Sequence, residues 1–225
     1  MKNNLFLKIP ILFLLFALGA CSDDDNSSST EEDFFNLNLG NQWVYKRYNF
    51  NFDNPTVYTF SGEIEHVEVV EIVSINGQDF SKLKHTKTYA NNPNSSIEYE
   101  YLRVNGSGHL VGFMDASSDI DESLINENSL GVLHPGEDFS YQYIRTEPYG
   151  IITHQLTPRV DMTVEGNDYS VLPYKGIFIP SSPELVSKTV EYNYQKQIGL
   201  VKRVCHVVAG PHSWEDRLVS YTIVN

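Results

Sequence analysis

The chain has 225 residues, and its 16 Lys and Arg against 29 Asp and Glu give a formal net charge of -13. This balance argues against nucleic acid as a partner, because phosphate binding depends on Lys and Arg that neutralise the backbone charge. It argues equally against a peripheral electrostatic hold on anionic lipid.

The N-terminus predicts an export leader, residues 1–20. Lys2 and Lys8 flank the start of an apolar segment, IPILFLLFALGA, residues 9–20. A helix of that length is about 18 Å long, and a bilayer span needs about 20 apolar residues. Size and flanks therefore indicate a signal peptide and not a membrane anchor.

Leu18-Gly19-Ala20-Cys21 closes this segment and resembles the lipobox of bacterial lipoprotein signal peptides. The resemblance implies cleavage before Cys21, a diacylglycerol on its sulfur and acylation of the new amino group. Cys21 is thus the predicted lipid attachment site, and a membrane the predicted partner, since two or more acyl chains hold a protein firmly. The alternative is a plain secretory signal in which Cys21 is incidental.

Residues 22–33 are polar, with six carboxylates, and predict a disordered tether in a segment 21–33 that begins at the acylated cysteine. Loss of the leader removes two lysines and changes the formal charge to 14 - 29 = -15. The acidic run after Cys21 resembles the export signal of surface lipoproteins in Bacteroidota-type bacteria. That resemblance implies the bacterial outer membrane and favours its outer face over the periplasmic one.

Residues 34–225 predict a single all-β domain. Val, Ile, Tyr and Phe are abundant, and Asn-Gly and Pro turns separate the apolar runs. Short loops leave no room for crossover helices, so the fold class is an antiparallel meandering sheet with little helix. About ten strands rarely form one flat sheet, and strong curvature is expected, as a half-barrel or two layers. Besides the two hairpins, strands are predicted at 42–50, 57–60, 139–145, 154–164, 169–179, 185–194, 200–208 and 218–224.

Asn76-Gly77 predicts a hairpin between residues 63–75 and 78–90. A two-residue loop would place Glu71 opposite Lys82, Val73 opposite Phe80, and Glu68 opposite His85. Residues 67–75 are apolar on both faces, which is typical of a central strand.

In that register His66 and His85 share a face near Glu68. A cross-strand hydrogen bond is the simpler interpretation, and a metal site is the alternative.

A second hairpin is predicted around Asn105-Gly106-Ser107-Gly108. Ile97, Tyr99 and Tyr101 alternate with Glu98 and Glu100, which predicts a buried aromatic face and a wet acidic one. The polar residues 115–136 are expected to form a surface excursion, with one helical turn within 119–128.

Phe34–Tyr48 and Glu191–Val204 carry two motifs that resemble those of many uncharacterised β-rich lipoproteins. Leu39-Gly40-Asn41, Trp43 and Tyr45 match a "PL-x-GN-x-W-x-Y" opening, with Asn36 in place of proline. Gly199-Leu200-Val201-Lys202 matches a late "GLVK" segment that leads into the final strand. The resemblance implies one β-sheet domain of no assigned activity.

No local motif indicates a catalytic, metal or cofactor site. The stretch 106–109 is explained by turn chemistry, and the pairs Asp119/Asp121 and Glu215/Asp216 are typical of a solvated surface. Residues 115–122 offer oxygen ligands for calcium but lack the glycine and spacing of an EF-hand. Cys205 has no partner for a disulfide if Cys21 is acylated, and its strand predicts a buried thiol.

Three functions are compatible with these features. The first is a surface-anchored binding or accessory protein whose curved sheet holds an apolar ligand, a glycan or another envelope protein. It rests on the aromatic rows 139/141/143, 192/194 and 99/101, for which core packing is the alternative. The second is a cell-surface hydrolase with a site built from distant strands, and the third is a structural envelope component. Ligand, enzymatic activity and oligomeric state are not predicted.

Overall fold

The computed structural model describes residues 34–115, 125, 130–207 and 210–224. These residues belong to one compact unit, Glu32–Asn225. The predicted leader, Cys21 and the tether lie outside the described residues. So do residues 116–124, which hold most of the predicted helical turn and of the candidate calcium segment. Within the described part of the chain, there is no helix with the length and apolar character needed to cross a membrane.

The described residues form thirteen strands, which confirms the all-β prediction. They are β1 Gln42–Asn51, β2 Asn54–Ile75, β3 Gln78–Tyr89, β4 Asn92–Val104, β5 Leu110–Asp115, β6 Gly131–His134, β7 Gln142–Glu147, β8 Gly150–Leu156, β9 Val160–Val164, β10 Asn167–Pro180, β11 Lys188–Gln195, β12 Gly199–His206 and β13 His212–Thr222.

All strand pairs are antiparallel and belong to one sheet. The order is β6-β5-β4-β3-β2-β1-β13-β12-β11-β10-β8-β7, and β9 pairs with the first part of β10. Strands β6 and β7 are the two edges, so the sheet is not closed. The predicted meander is confirmed, and β2 is a central strand between β1 and β3.

The sheet is strongly curved, because strands far apart in its order pack together. His134 at the end of β6 donates from Nε2 to the carbonyl oxygen of Leu172 in β10, at 3.0 Å. Its Nδ1 accepts a hydrogen bond from the Gly136 amide at 3.1 Å. One buried cluster joins side chains from both halves of the sheet, among them Trp43, Leu102, Leu172 and Leu218. We call the face that carries this cluster the concave face, and the opposite face convex.

Residues 34–41 lie across the concave face before β1 begins. The Phe34 and Phe35 rings are buried there, and Phe35 packs edge-on against Tyr194. The Ser81 hydroxyl donates to the Leu37 carbonyl oxygen at 2.8 Å. Gly40 turns the chain into β1 with a φ of 87°, in the left-handed region where glycine carries no Cβ penalty.

The hairpin at Asn76-Gly77 has the predicted register only next to its turn. Glu71 faces Lys82 and Val73 faces Phe80, as expected. A β-bulge at Val70 then adds a residue to β2, so Glu68 faces Lys84, and the prediction that it faces His85 is wrong. An extra residue moves the following side chains to the other face.

Strand β4 places its acidic residues on the opposite side from the one expected. Tyr101 is fully buried in a small cluster on the convex face with Ile75 and Phe80. The alternate residues Glu98 and Glu100 therefore point to the concave face. The prediction of a wet acidic face is therefore only partly correct, because Glu98 and Glu100 line the pocket with side chains that are 36% and 19% exposed.

Three boundaries also differ from the sequence prediction. The strand expected at 154–164 is divided at Pro158, which cannot donate a ladder hydrogen bond, into β8 and β9. The last strand begins at His212, six residues before the predicted 218. The excursion predicted at 115–136 contains a short strand, β6.

Candidate functional site

A pocket of about 380 Å³ opens on the concave face between residues 35–37 and strands from both halves of the sheet. The side chains of the sheet therefore do not fill its interior completely. One part of the wall is aliphatic, contributed by Leu37, Val67, Leu83, Leu102, Leu110 and Leu133.

Aromatic rings form the wall next to β1, β11 and β12. The Trp43 indole donates from Nε1 to the Ile198 carbonyl oxygen at 2.6 Å, and the Tyr45 hydroxyl donates to that of Leu200 at 2.9 Å. Both rings point to the concave face, because alternate residues of one strand share a face. Tyr192 and Tyr194 complete this wall.

The outcome differs among the predicted aromatic rows. The row 192/194 lines the pocket, which agrees with the groove hypothesis. Tyr101 belongs to the convex cluster, and Tyr141 packs against the main core. Phe139 is 59% exposed and lies in a turn outside β7.

His85 lies at the centre of the polar part of the pocket. Its Nδ1 is 3.0 Å from Glu65 Oε1, and its Nε2 is 3.2 Å from Glu100 Oε2. Burial lowers the pKa of His85, but the hydrogen bonds and charges of Glu100 and Glu65 outweigh burial and raise it to about 9. His85 is therefore an imidazolium at neutral pH that donates from both nitrogens.

Glu65 receives a second cation. Lys87 Nζ lies 4.0 Å from Glu65 Oε1 and donates to Glu98 Oε2 at 2.6 Å. Burial raises the pKa of Glu65, but the hydrogen bond and charge of His85, with Arg203 and Lys87, outweigh burial and lower it below its usual value. Glu65 is thus a carboxylate held by cations on the neighbouring strand.

Asp216 anchors a second ion-pair group beside the first. It accepts from Arg47 Nε at 2.8 Å and from Arg203 Nε at 3.0 Å. Arg47 also lies 3.0 Å from Glu63, and both guanidinium groups stack on the Trp214 ring, at 4.4 and 5.0 Å from its centroid. This second group, from β1, β2, β12 and β13, adjoins the charged side chains around His85. We call the charged side chains of both groups the charged floor of the pocket.

The predicted solvated pair Glu215/Asp216 is wrong. Glu215 is 1% exposed and Asp216 is 2% exposed. They lie on opposite faces of β13: Asp216 faces the pocket, whereas Glu215 pairs with Lys202 and Arg217 on the convex side. Each carboxylate is buried because arginine or lysine side chains cover it.

The predicted shared face of His66 and His85 is also wrong. The bulge at Val70 leaves His66 exposed on the convex face, while His85 faces the pocket. Neither the cross-strand hydrogen bond nor the metal alternative can therefore form between them. Among the residues that the structure describes, no group of three or more His, Cys, Asp and Glu could hold a metal ion.

The turn 106–108 and Cys205 lie outside the pocket. Gly106, Ser107 and Gly108 form the β4–β5 turn, as predicted. Cys205 is half-buried, and burial raises the pKa of its thiol.

The pocket brings His85 together with four carboxylates, those of Glu65, Glu98, Glu100 and Asp216. Its described lining contains no serine, threonine or cysteine as a nucleophile. A protonated His85 that donates from both nitrogens has no lone pair to act as a general base. The lowered pKa of Glu65 is opposite to that of a catalytic acid, which needs a raised one. This arrangement can bind and orient a molecule.

Comparison with known protein families finds no match, and neither does comparison with curated proteins. Two solved structures are similar over 85% of this chain and 99% of their own. One is a protein from Bacteroides fragilis described as exported and as having a YmcC-like fold, with 11% identity and a TM-score of 0.44. The other is described as a lipoprotein from Parabacteroides distasonis, with 10% identity and a TM-score of 0.38.

Proposed function

We propose that this chain is a lipid-anchored protein of the bacterial outer membrane whose β domain binds an amphipathic small molecule in the concave pocket. The anchor rests on the lipobox-like residues that end at Cys21, and the location at the outer face rests on the acidic run that follows. The binding role rests on the structure of the pocket.

The observation that carries the binding role is the division of the pocket into an apolar wall and a charged floor. Its volume of about 380 Å³ lies within the range of small-molecule sites, roughly 300–1,000 Å³. Such sites combine mostly apolar lining with a few fixed polar groups that orient the ligand. Here the aliphatic and aromatic wall would bury a hydrocarbon portion, and the groups around His85 would face a polar head.

The predicted anchor would keep this pocket near a membrane. Phe35, which lines the pocket, follows Cys21 by only 14 residues. A flexible chain of that length has an end-to-end distance of about 20 Å. An amphipathic molecule from the envelope is therefore a suitable ligand in both chemistry and position.

Labelling with radioactive palmitate tests the anchor. The native chain should incorporate label and fractionate with the outer membrane, whereas Cys21→Ser should do neither. A Cys205→Ser variant is the matched control, because it removes the other cysteine and should retain the label. Label that persists in Cys21→Ser would contradict the anchor.

Titration with dodecyl maltoside, below the concentration at which it forms micelles, tests the pocket. The mature chain from Ser22 contains every described residue and lacks only the predicted leader and the acylated cysteine. The double variant Leu133→Trp/Met114→Trp fills the wall, and we expect at least tenfold weaker binding, about 1.4 kcal/mol. Leu39→Trp/Leu185→Trp changes two exposed residues outside the pocket and should bind as the unaltered chain does.

Equal binding by both double variants would place the ligand elsewhere on the domain. No binding by the unaltered chain to any amphiphile would contradict the proposed function. Circular dichroism of each variant would show whether the sheet is retained.

A further inference from the structure

The charged floor of the pocket has more hydrogen-bond acceptors than donors. Among the residues that the structure describes, its lining contains four carboxylates and three cations, His85 being counted as charged, which leaves one net negative charge. Each cation lies against a carboxylate: His85 between Glu65 and Glu100, Lys87 on Glu98, and Arg203 on Asp216. A ligand would therefore compete with a carboxylate for each of these three described cations.

The carboxylates nearest the mouth keep acceptor capacity. The side chains of Glu98 and Glu100 are 36% and 19% exposed, so solvent or a ligand can reach them. In the described contacts, Glu98 accepts from Lys87 and Glu100 accepts from His85, each through Oε2. A carboxylate has about four lone-pair positions. Further donors on a ligand head could therefore bind to both without disturbing an ion pair.

An anionic head would have to bind to the lining cations, each of which already contacts a carboxylate. To reach Lys87 it would approach a carboxylate 2.6 Å from the ammonium nitrogen and a second one 4.0 Å away. To reach Arg203 it would compete with Asp216, whose side chain is 3% exposed. Displacing Asp216 from Arg203 would separate a buried ion pair, which is unfavourable, and an anion at Lys87 would be repelled by the two carboxylates beside it.

We propose that the pocket selects amphiphiles whose head donates hydrogen bonds and carries no negative charge, as an amine or a polyol does. The apolar wall holds the hydrocarbon portion, and the carboxylates of Glu98 and Glu100 accept from the head. This specificity rests on the proposed binding function and adds the chemical class of its ligand.

A series of amphiphiles with the same dodecyl chain tests the specificity, with the mature chain from Ser22 in a calorimeter at pH 7 and below micelle formation. The probes are dodecylamine, dodecyl maltoside, dodecyltrimethylammonium and dodecanesulfonate. We expect the amine and the maltoside to bind at least tenfold more tightly than the sulfonate. Dodecyltrimethylammonium has the charge of the amine without its donors and should bind more weakly than the amine.

Removing the negative charges of Glu98 and Glu100 should remove the preference. In Glu98→Gln/Glu100→Gln the net charge of the lining changes from -1 to +1, provided that His85 keeps its proton through Glu65. The ratio between amine and sulfonate should then fall below about threefold, since the repulsion of the anion is lost. The matched control, Glu68→Gln/Glu71→Gln, removes two charges from the exposed convex side of β2 and should keep the original ratio.

The outcomes separate the two proposals. Sulfonate binding as tight as that of the amine in the unaltered chain overturns the specificity and leaves the binding function intact. Equal binding of the amine and the trimethylammonium probe overturns the role of donated hydrogen bonds. Failure of all four probes overturns the proposed function itself.

Discussion

The protonation of His85 should cause much of the change in unfolding free energy with pH. Its pKa is about 9 in the folded chain, against 6.5 for an unperturbed histidine. The folded protein therefore holds a proton that the unfolded chain loses between these values. The stabilisation is fully present below pH 6.5 and is lost as the pH rises through 9. A difference of about 2.5 pKa units corresponds to about 3 kcal/mol.

That magnitude applies with little solvent screening, because the His85 side chain is only 11% exposed and both partners are less than a fifth exposed. The substitution His85→Gln removes the positive charge and keeps one donor. We expect the unaltered chain to lose about 3 kcal/mol of unfolding free energy between pH 6 and pH 9. The variant should lose less than about 1 kcal/mol over the same range, because the linked proton is absent.

Urea unfolding followed by tryptophan fluorescence at pH 6, 7.5 and 9 measures this difference. The control is His66→Gln, which changes an exposed histidine on the convex face of the adjacent strand and should retain the slope of the unaltered chain. The same pH slope in His85→Gln and in the unaltered chain would refute the assignment of His85 as a buried imidazolium.

Two further predictions concern buried groups on the concave side. Burial lowers the pKa of His134 to about 4, so the unfolding free energy should fall as the pH drops from 6.5 towards 4. In urea titrations, His134→Gln should reduce this fall by up to about 3 kcal/mol. A pH slope in His134→Gln equal to that of the exposed-site control His212→Gln would contradict this. Asp216→Asn removes the carboxylate that Arg203 and Arg47 share, although Arg47 keeps Glu63, and should lower the unfolding free energy by about 3 kcal/mol. A cost as small as that of the exposed Asp79→Asn, measured by the same unfolding, would show that the ion pairs contribute little.

Most strands could be predicted from the sequence because their apolar residues alternate or form short runs between turn residues. The predicted 169–179 and 200–208 lie close to the observed β10 and β12. Asn76-Gly77 also fixed the register next to its turn. These patterns are local, because each strand is indicated by its own residues and the turns beside it.

The bulge at Val70 could not be predicted, because the surrounding run VEVVEIVSI has apolar residues on both faces. No break in an alternating pattern marks the point at which the faces exchange. The consequence was large, since one residue in β2 decided whether Glu65 or His66 shares a face with His85. Glu65 was missed for the same reason.

The alternation in β4 was visible, but its orientation was not. A row of tyrosines beside a row of glutamates ordinarily indicates a buried face and a wet one. Here Tyr101 has its own cluster on the convex face, so the glutamates can line the pocket. Lys87 in the neighbouring strand β3 could have indicated that Glu98 lies on the same face as an ion-pair partner. That inference requires the register of β3 and β4 to be known.

The physical cost of the charged floor is itself an argument for the location of the ligand. Buried ion pairs are often no more stabilising than apolar side chains of the same size. The convex face of β2, β3 and β4 shows the alternative, since Ile75, Phe80 and Tyr101 form an apolar cluster there. A concave face that needed only to be stable could be filled in the same way. Instead His85 and its carboxylates border an unfilled pocket, where fixed charges can orient a polar head. Stability alone therefore does not account for this face, and this supports the proposed binding function.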